Sequence, residues 1–147
     1  ETMLPGMIKT DLKIIEADSG SVYHGLKSTD NGFKDFGEVY FSSVNKNAIK
    51  AWKLLQKMTL NLFVPFGEVL FYFMDVRENS DSYNKSCKII LSQKPYTRLT
   101  VPPGIWFGFK GFSDGLNLIC NVADIPHDPK EVLRKEIDEI EANWSIK

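Results

Sequence analysis

The sequence predicts an all-β sandwich or barrel. Eight short segments are rich in aromatic and β-branched residues, and turn-forming clusters stand between them. In addition, no apolar run reaches the ~18–20 residues that cross a bilayer, and no repeat or low-complexity linker divides the 147 residues. A chain of this length is expected to form one domain over residues 1–147.

The strands are expected at 9–15, 38–43, 58–64, 68–76, 86–91, 98–101, 105–109 and 116–122. Between them Asp18-Ser19-Gly20, Asp30-Asn31-Gly32, Asn79-Ser80-Asp81-Ser82, Pro102-Pro103-Gly104 and Ser113-Asp114-Gly115 supply residues that preset or tolerate turn dihedrals. Segment 48–57 is ambiguous. Lys46, Lys50, Lys53 and Lys57 recur at helical steps, with Ile49, Trp52 and Leu55 on another side. Its position between strands favours a strand, with Phe66-Gly67 as the tight turn of a following hairpin. A C-terminal α-helix is expected over 129–142. Asp128 is its cap, Pro129 its first residue and Glu131 its N3 position, and Val132, Leu133, Ile137 and Ile140 form an apolar stripe. The carboxylates Glu136, Asp138, Glu139 and Glu141 read as its solvated face.

A formal charge of −1 without basic arms or tails argues against nucleic-acid binding, and the hydropathy against a membrane span. Cys87 and Cys120 stand far apart, as expected of two buried thiols in a reducing compartment, and segment 1–7 lacks a leader pattern, so a cytoplasmic location is expected. The charge is unevenly spread. Residues 39–67 carry Lys46, Lys50, Lys53 and Lys57 and no acid, which points to one anionic ligand; a solvated lysine face is the ordinary alternative. Tyr40, Trp52, Trp106 and Phe107 offer flat surfaces for a base or sugar, or else fill the barrel. His24 and His127 lie in unrelated turns, so neither a metal nor another cofactor is expected.

A further pattern lies in the order of the text: Lys50-Ala51-Trp52-Lys53, Gly67, Asp75-Val76-Arg77, Ser80-Asp81-Ser82-Tyr83, Leu91-Ser92, Pro103-Gly104-Ile105-Trp106-Phe107-Gly108-Phe109 and Phe112-Ser113-Asp114. Over 38–144 this resembles the dTDP-4-dehydrorhamnose 3,5-epimerase family of the cupin superfamily. The resemblance implies a cupin-type double-stranded β-helix, or jelly roll, paired as a homodimer. It also implies a nucleotide-diphosphate-linked keto-sugar as ligand, in cell-surface polysaccharide synthesis. Residue by residue, Lys53 stands where the family has its histidine base, Leu60 where a lysine polarises the ketone, Phe107 at a second histidine and Cys120 at the tyrosine acid. Lys50 keeps the positive charge of the arginine that grips the diphosphate, while Glu38 and Tyr40 replace a glutamine and an asparagine. Lys53 and Cys120 are therefore the catalytic candidates, and Glu38, Tyr40, Lys50, Trp52, Trp106 and Phe107 the ligand-binding ones. Losing histidine, lysine and tyrosine predicts loss of the double C3/C5 epimerisation. Two readings follow: an epimerase or isomerase with non-standard catalytic residues, or an inactive sugar-nucleotide-binding or scaffolding cupin.

Strand register decides the rest of the site. If Leu60 faces inward, so do Met58 and Leu62; a slip by one turns Lys57, Thr59 and Asn61 inward and makes them ligand candidates. Strict alternation also puts Lys50 and Lys53 on opposite faces, so sharing one site requires a bulge or strong twist.

Overall fold

In the computed structural model, which describes residues 3–146, the β-rich segments pair into two facing antiparallel sheets. The strands run β1 (Ile8–Asp11), β2 (Ile14–Ile15), β3 (Val22–Tyr23), β4 (Glu38–Ser43), β5 (Ile49–Leu55) and β6 (Leu60–Phe66). They continue as β7 (Val69–Asp75), β8 (Ser86–Leu91), β9 (Thr97–Val101), β10 (Ile105–Gly111), β11 (Leu118–Ala123) and β12 (Val132–Arg134). One sheet has the order β1-β9-β6-β11-β4, the other β12-β5-β10-β7-β8, and β2 and β3 form a small ribbon. β4 to β5 and β6 to β7 cross between the sheets, in the winding of a cupin-type jelly roll. The strand expected over 9–15 is split into β1 and β2, and segment 48–57 is a strand.

The turn at Phe66-Gly67 is not a hairpin turn, because β6 pairs with β9 and β11 while β7 pairs with β10 and β8. It carries the chain from one sheet to the other. Gly67 sits at φ +88°, and a Cβ there would come 2.4 Å from Asn117 Oδ1, which accepts from Glu68 N at 2.9 Å.

Alternation along β6 sends Leu60, Leu62 and Val64 into the space between the sheets, with Phe71, Phe73, Leu99, Ile105 and Ile119. Asn61 and Phe63 point the other way. Asn61 Oδ1 accepts from Arg98 Nε at 3.0 Å and Thr100 Oγ1 at 2.6 Å. The fully buried Arg98 side chain also reaches Asp30 at 3.1 Å and the Gly25 carbonyl at 2.8 Å, tying segment 24–31 over the outer face of this sheet. The Lys27 backbone N–H, ahead of the Arg98 charge, holds the Asp30 carboxyl below its ordinary range against the opposing effect of burial.

No α-helix forms over 129–142. The start signals operate, since Asp128 accepts from Lys130 N at 3.0 Å, but they open only one 3₁₀ turn, Pro129–Glu131. The chain then becomes β12, pairing Val132↔Leu55, Leu133↔Leu54 and Arg134↔Lys53, before a second 3₁₀ turn at Ile137–Glu139. The reason is tertiary. β5 would otherwise be an open edge, and Glu131 turns inward to accept from Lys57 N at 2.6 Å and Met58 N at 2.8 Å, satisfying two amides that a helix would leave unpaired. The expected stripe is divided accordingly: Leu133 and Ile137 are each 44% exposed, while Ile140 joins Trp52, Tyr72 and Trp106 on the outer face of the second sheet.

At the end of β7, Asp75 explains the Asp-Val-Arg and serine turn. Its carboxylate takes hydrogen bonds from Arg77 Nε and Nη2 (both 2.9 Å), Ser80 Oγ (2.6 Å) and Ser82 Oγ (2.5 Å) with no side-chain exposure. Burial by itself would raise this pKa, but the hydrogen bonds outweigh it and hold the carboxyl far below the usual range. A depressed folded-state pKa contributes stability that is present above the unfolded value of about 3.9 and lost progressively as pH falls from there through the lower folded value. Asp75→Asn is therefore expected to cost about 3–5 kcal/mol in urea unfolding at neutral pH, by uncoupling Arg77 from its carboxylate. The deficit should narrow as both proteins are taken below about pH 4; an unchanged deficit would deny the carboxylate its part.

Candidate functional site

The site begins with one extra residue in β5. Against β10 the pairs are Trp106↔Leu54 and Phe107↔Lys53, and then Gly108↔Ala51 and Phe109↔Lys50, so Trp52 has no partner of its own. This bulge resets the alternation. Lys50 and Lys53 both face inward, whereas Ala51 and Trp52 face out. Trp52, 2% exposed, lies with its ring 5.6 Å from Tyr72 and 5.3 Å from Trp144, and its Nε1 donates to the Ile137 carbonyl at 3.0 Å. Gly108 makes room across the ladder, since a Cβ there would stand 2.5 Å from that of Ala51.

A cavity of about 490 Å³ opens between the sheets at this edge, within the size range of small-molecule sites. Tyr40, Ser42 and Asn121 form the wall from the first sheet. Lys50, Lys53, Phe107 and Phe109 form the wall from the second, and Arg134, Lys135, Glu136 and Glu139 line the rim. Burial, reinforced by the nearby Arg134 and Lys50 charges, lowers the Lys53 pKa. Across the cavity, burial and the Glu38 charge raise that of the Tyr40 phenol, which stays protonated. Lys50 Nζ donates to the Ser43 carbonyl at 2.7 Å at the mouth of the cavity. The opposed walls therefore carry an ammonium that gives up its proton more readily than usual and a phenol that holds its own more tightly, with both cations and carboxylates at the entrance.

Several sequence candidates lie elsewhere. Cys120 faces outward against Phe63 and Tyr96, and burial pushes its thiol up to about 11. Trp52 contributes to the rim of the cavity but its ring is committed to the outer aromatic cluster, and Trp106 lies in that cluster with Lys135 Nζ 5.2 Å above its ring. The Glu38 carboxylate accepts from His127 N at 2.8 Å. The inward register of Leu60 excludes the slipped alternative: Lys57 is exposed in the β5–β6 turn, Thr59 N donates to Asp124 Oδ1 at 2.8 Å, and Asn61 belongs to the Arg98 network. Lys46 is paired with Asp114 at 2.9 Å, so the four-lysine run supplies two cavity residues rather than four. Sequence reasoning missed Ser42, Asn121, Phe109, Arg134 and Lys135. Alternation from Tyr40 points to Ser42 and from Phe107 to Phe109, but the residues after 131 were hidden by the expected helix.

Fold and site together define a cupin-type jelly roll with a small-molecule-sized cavity rimmed by Arg134, Lys135, Glu136 and Glu139. A family model described as dTDP-4-dehydrorhamnose 3,5-epimerase matches residues 1–147, and the chain belongs to that family. It is 34% identical to the dTDP sugar isomerase of Desulfovibrio desulfuricans G20, over 92% of this chain and 87% of that one, with a TM-score of 0.89. The dTDP-4-dehydrorhamnose 3,5-epimerase of Sulfolobus tokodaii shares the fold at 22% identity and a TM-score of 0.83, over 100% of this chain and 85% of that one. The Bacillus anthracis enzyme of that name, with TDP and PPi bound, shares it at 16% identity and 0.84, over 100% of this chain and 89% of that one. A search among curated proteins gave no match.

The depressed Lys53 pKa has a consequence for stability. Its charged form is disfavoured in the folded state, a cost that is present below the folded pKa and disappears as pH rises toward the unfolded value of about 10.4. Lys53→Met is therefore expected to melt above wild type at neutral pH, with the gap closing in the alkaline range. A gap that is absent, or that stays constant to about pH 10, would mean a well-solvated ammonium.

Proposed function

We propose that this protein moves a proton beside the ketone of a dTDP-linked keto-sugar, as an epimerase or isomerase in which Lys53 is the base and Tyr40 the acid. The reading rests on one observation, that Lys53 and Tyr40 face one cavity from opposite walls. Neutral Lys53 Nζ takes the proton from the carbon next to the ketone; the C–H electrons form the enolate double bond and the carbonyl π electrons move to oxygen. The Tyr40 O–H then gives a proton to the opposite face of that carbon, the ketone re-forms with inverted configuration, and solvent carries the proton from the Lys53 ammonium to the phenolate. Lys50 and Arg134 hold the diphosphate. Phe107 and Phe109 pack the sugar or base.

Supply of such sugars for cell-surface polysaccharide belongs to the same reading, as does a cytoplasmic location, which suits the two buried cysteines. So does a homodimer. Val39 (48% exposed) and Phe41 (64%) stand on the outer face of β4, with Phe66 (48%) and Leu116 (56%) among the other uncovered apolar groups, and a second copy would cover them.

In D₂O, TDP-4-keto-6-deoxyglucose is expected to gain deuterium at a single carbon beside the ketone. The rate should rise with pH through the lowered Lys53 pKa and fall once Tyr40 ionises, above the ordinary phenol value of about 10. Lys53→Met and Lys53→Arg should both abolish exchange, the latter because a guanidinium stays protonated. Lys50→Ala should weaken dTDP binding and flatten its salt dependence. Exchange that persists in Lys53→Met would remove Lys53 from the mechanism.

The dimer is checked separately by sedimentation. Phe41→Glu is expected to give a folded monomer from a wild-type dimer, and a monomeric wild type would end that part of the reading.

A further inference from the structure

The chemistry just described leaves an enolate oxygen without a named partner, and the position that carries the family's lysine holds Leu60, 1% exposed within the apolar core. An uncompensated negative charge in a half-enclosed cavity lined by Phe107 and Phe109 is costly, so some donor must face it.

We infer, on the basis of that reading, that Asn121 is a catalytic residue of this site and that its amide, with the Ser42 hydroxyl beside it, stabilises the enolate oxygen. β11 pairs with β4 so that Asn121 stands directly opposite Tyr40, and Ile119 opposite Ser42, on the inner wall. Asn121 is only 6% exposed, and what remains open contributes to the cavity. An amide so deeply buried would ordinarily be fully satisfied. Here Nδ2 has three acceptors for its two hydrogens, all at the long end of the range: the Tyr40 carbonyl at 3.4 Å, Ser42 Oγ at 3.3 Å and the Ile119 carbonyl at 3.3 Å. Weakly held N–H groups turn readily to an anion, because a charged acceptor makes a hydrogen bond about twice as strong as a neutral one. Ser42 Oγ accepts from Asn121, which leaves its own proton to point into the cavity.

The two donors therefore sit on the Tyr40 side, away from Lys53. Placed there, they meet the oxygen as charge develops on it and stay clear of the amine that must remain neutral. Lys53 cannot fill both roles, since a lysine that accepts the carbon's proton has no charge to offer the oxygen when the transfer begins.

The test uses TDP-4-keto-6-deoxyglucose in D₂O, with exchange followed by NMR and dTDP affinity by calorimetry. Asn121→Leu is expected to lower the exchange rate constant about 10²–10³-fold while dTDP affinity holds, the signature of an interaction made only in the transition state. Ser42→Ala removes one oxygen and serves should the leucine variant fail to fold; it is expected to lower exchange about tenfold. Wild-type exchange in either folded variant, or a loss of dTDP affinity that accounts for the whole effect, overturns the assignment to Asn121 and Ser42 and leaves the Lys53 mechanism standing. An absence of exchange in the wild type overturns the Lys53 mechanism itself, and this assignment with it.

Discussion

The bulge at Trp52 is the constraint on which the rest of the site depends. Regular alternation would send one of Lys50 and Lys53 into the sandwich and the other out of it. By taking Trp52 out of the ladder, β5 faces both lysines inward at the cost of a displaced indole, and the molecule recovers that cost in the outer cluster of Trp52, Tyr72, Trp106 and Trp144. The lysines and the tail are thereby coupled, since the Trp52 ring docks on the segment that supplies Arg134 and Lys135 to the rim.

The sandwich is covered on one outer face by the segment ahead of β4 and closed along one edge by the segment after β11. On one side the buried Arg98 gathers the carbonyls of 25 and 31 and the Asp30 carboxylate. On the other, Glu131 fastens the β5–β6 turn and β12 covers the β5 edge. A charged side chain is buried in each case: Arg98 is met by several acceptors, whereas Glu131 takes two amides on Oε1 and leaves Oε2 without a hydrogen-bond partner. The edge most in need of cover is the one beside the cavity. Covering it with β12, whose Arg134 pairs with Lys53, adds a positive charge next to a lysine already short of water.

Electrostatics divides the family-like segments into two uses. Asp75, Arg77, Ser80 and Ser82 form a set in which the donors nearly surround one carboxylate. The cavity is the reverse. Its four cations meet two carboxylates, its phenol stands across from a lysine, and its buried amide is held only loosely. Groups left under-satisfied in this way are what a charged, oxygen-rich ligand completes.

Strand identity, the turn positions and the resemblance across 38–144 were all carried by the sequence, because side-chain period, turn chemistry and motif order are local properties of the chain. The same local signals misread 129–142. Its cap, proline and stripe are those of a helix, but the unpaired edge of β5 and the two amides bound by Glu131 are visible only once β5 is in place. Gly67 likewise marks a turn, while the sheets it joins are set by partners elsewhere in the chain. Site membership was decided at this second level. The lysine excess and the aromatic residues around it were evident in the text, but the bulge that unites Lys50 with Lys53, and the one-residue offset that puts Asn121 rather than Cys120 in the cavity, are matters of register. A side-chain period of two reverses every assignment on a one-residue shift, and only the pairing of whole strands determines it.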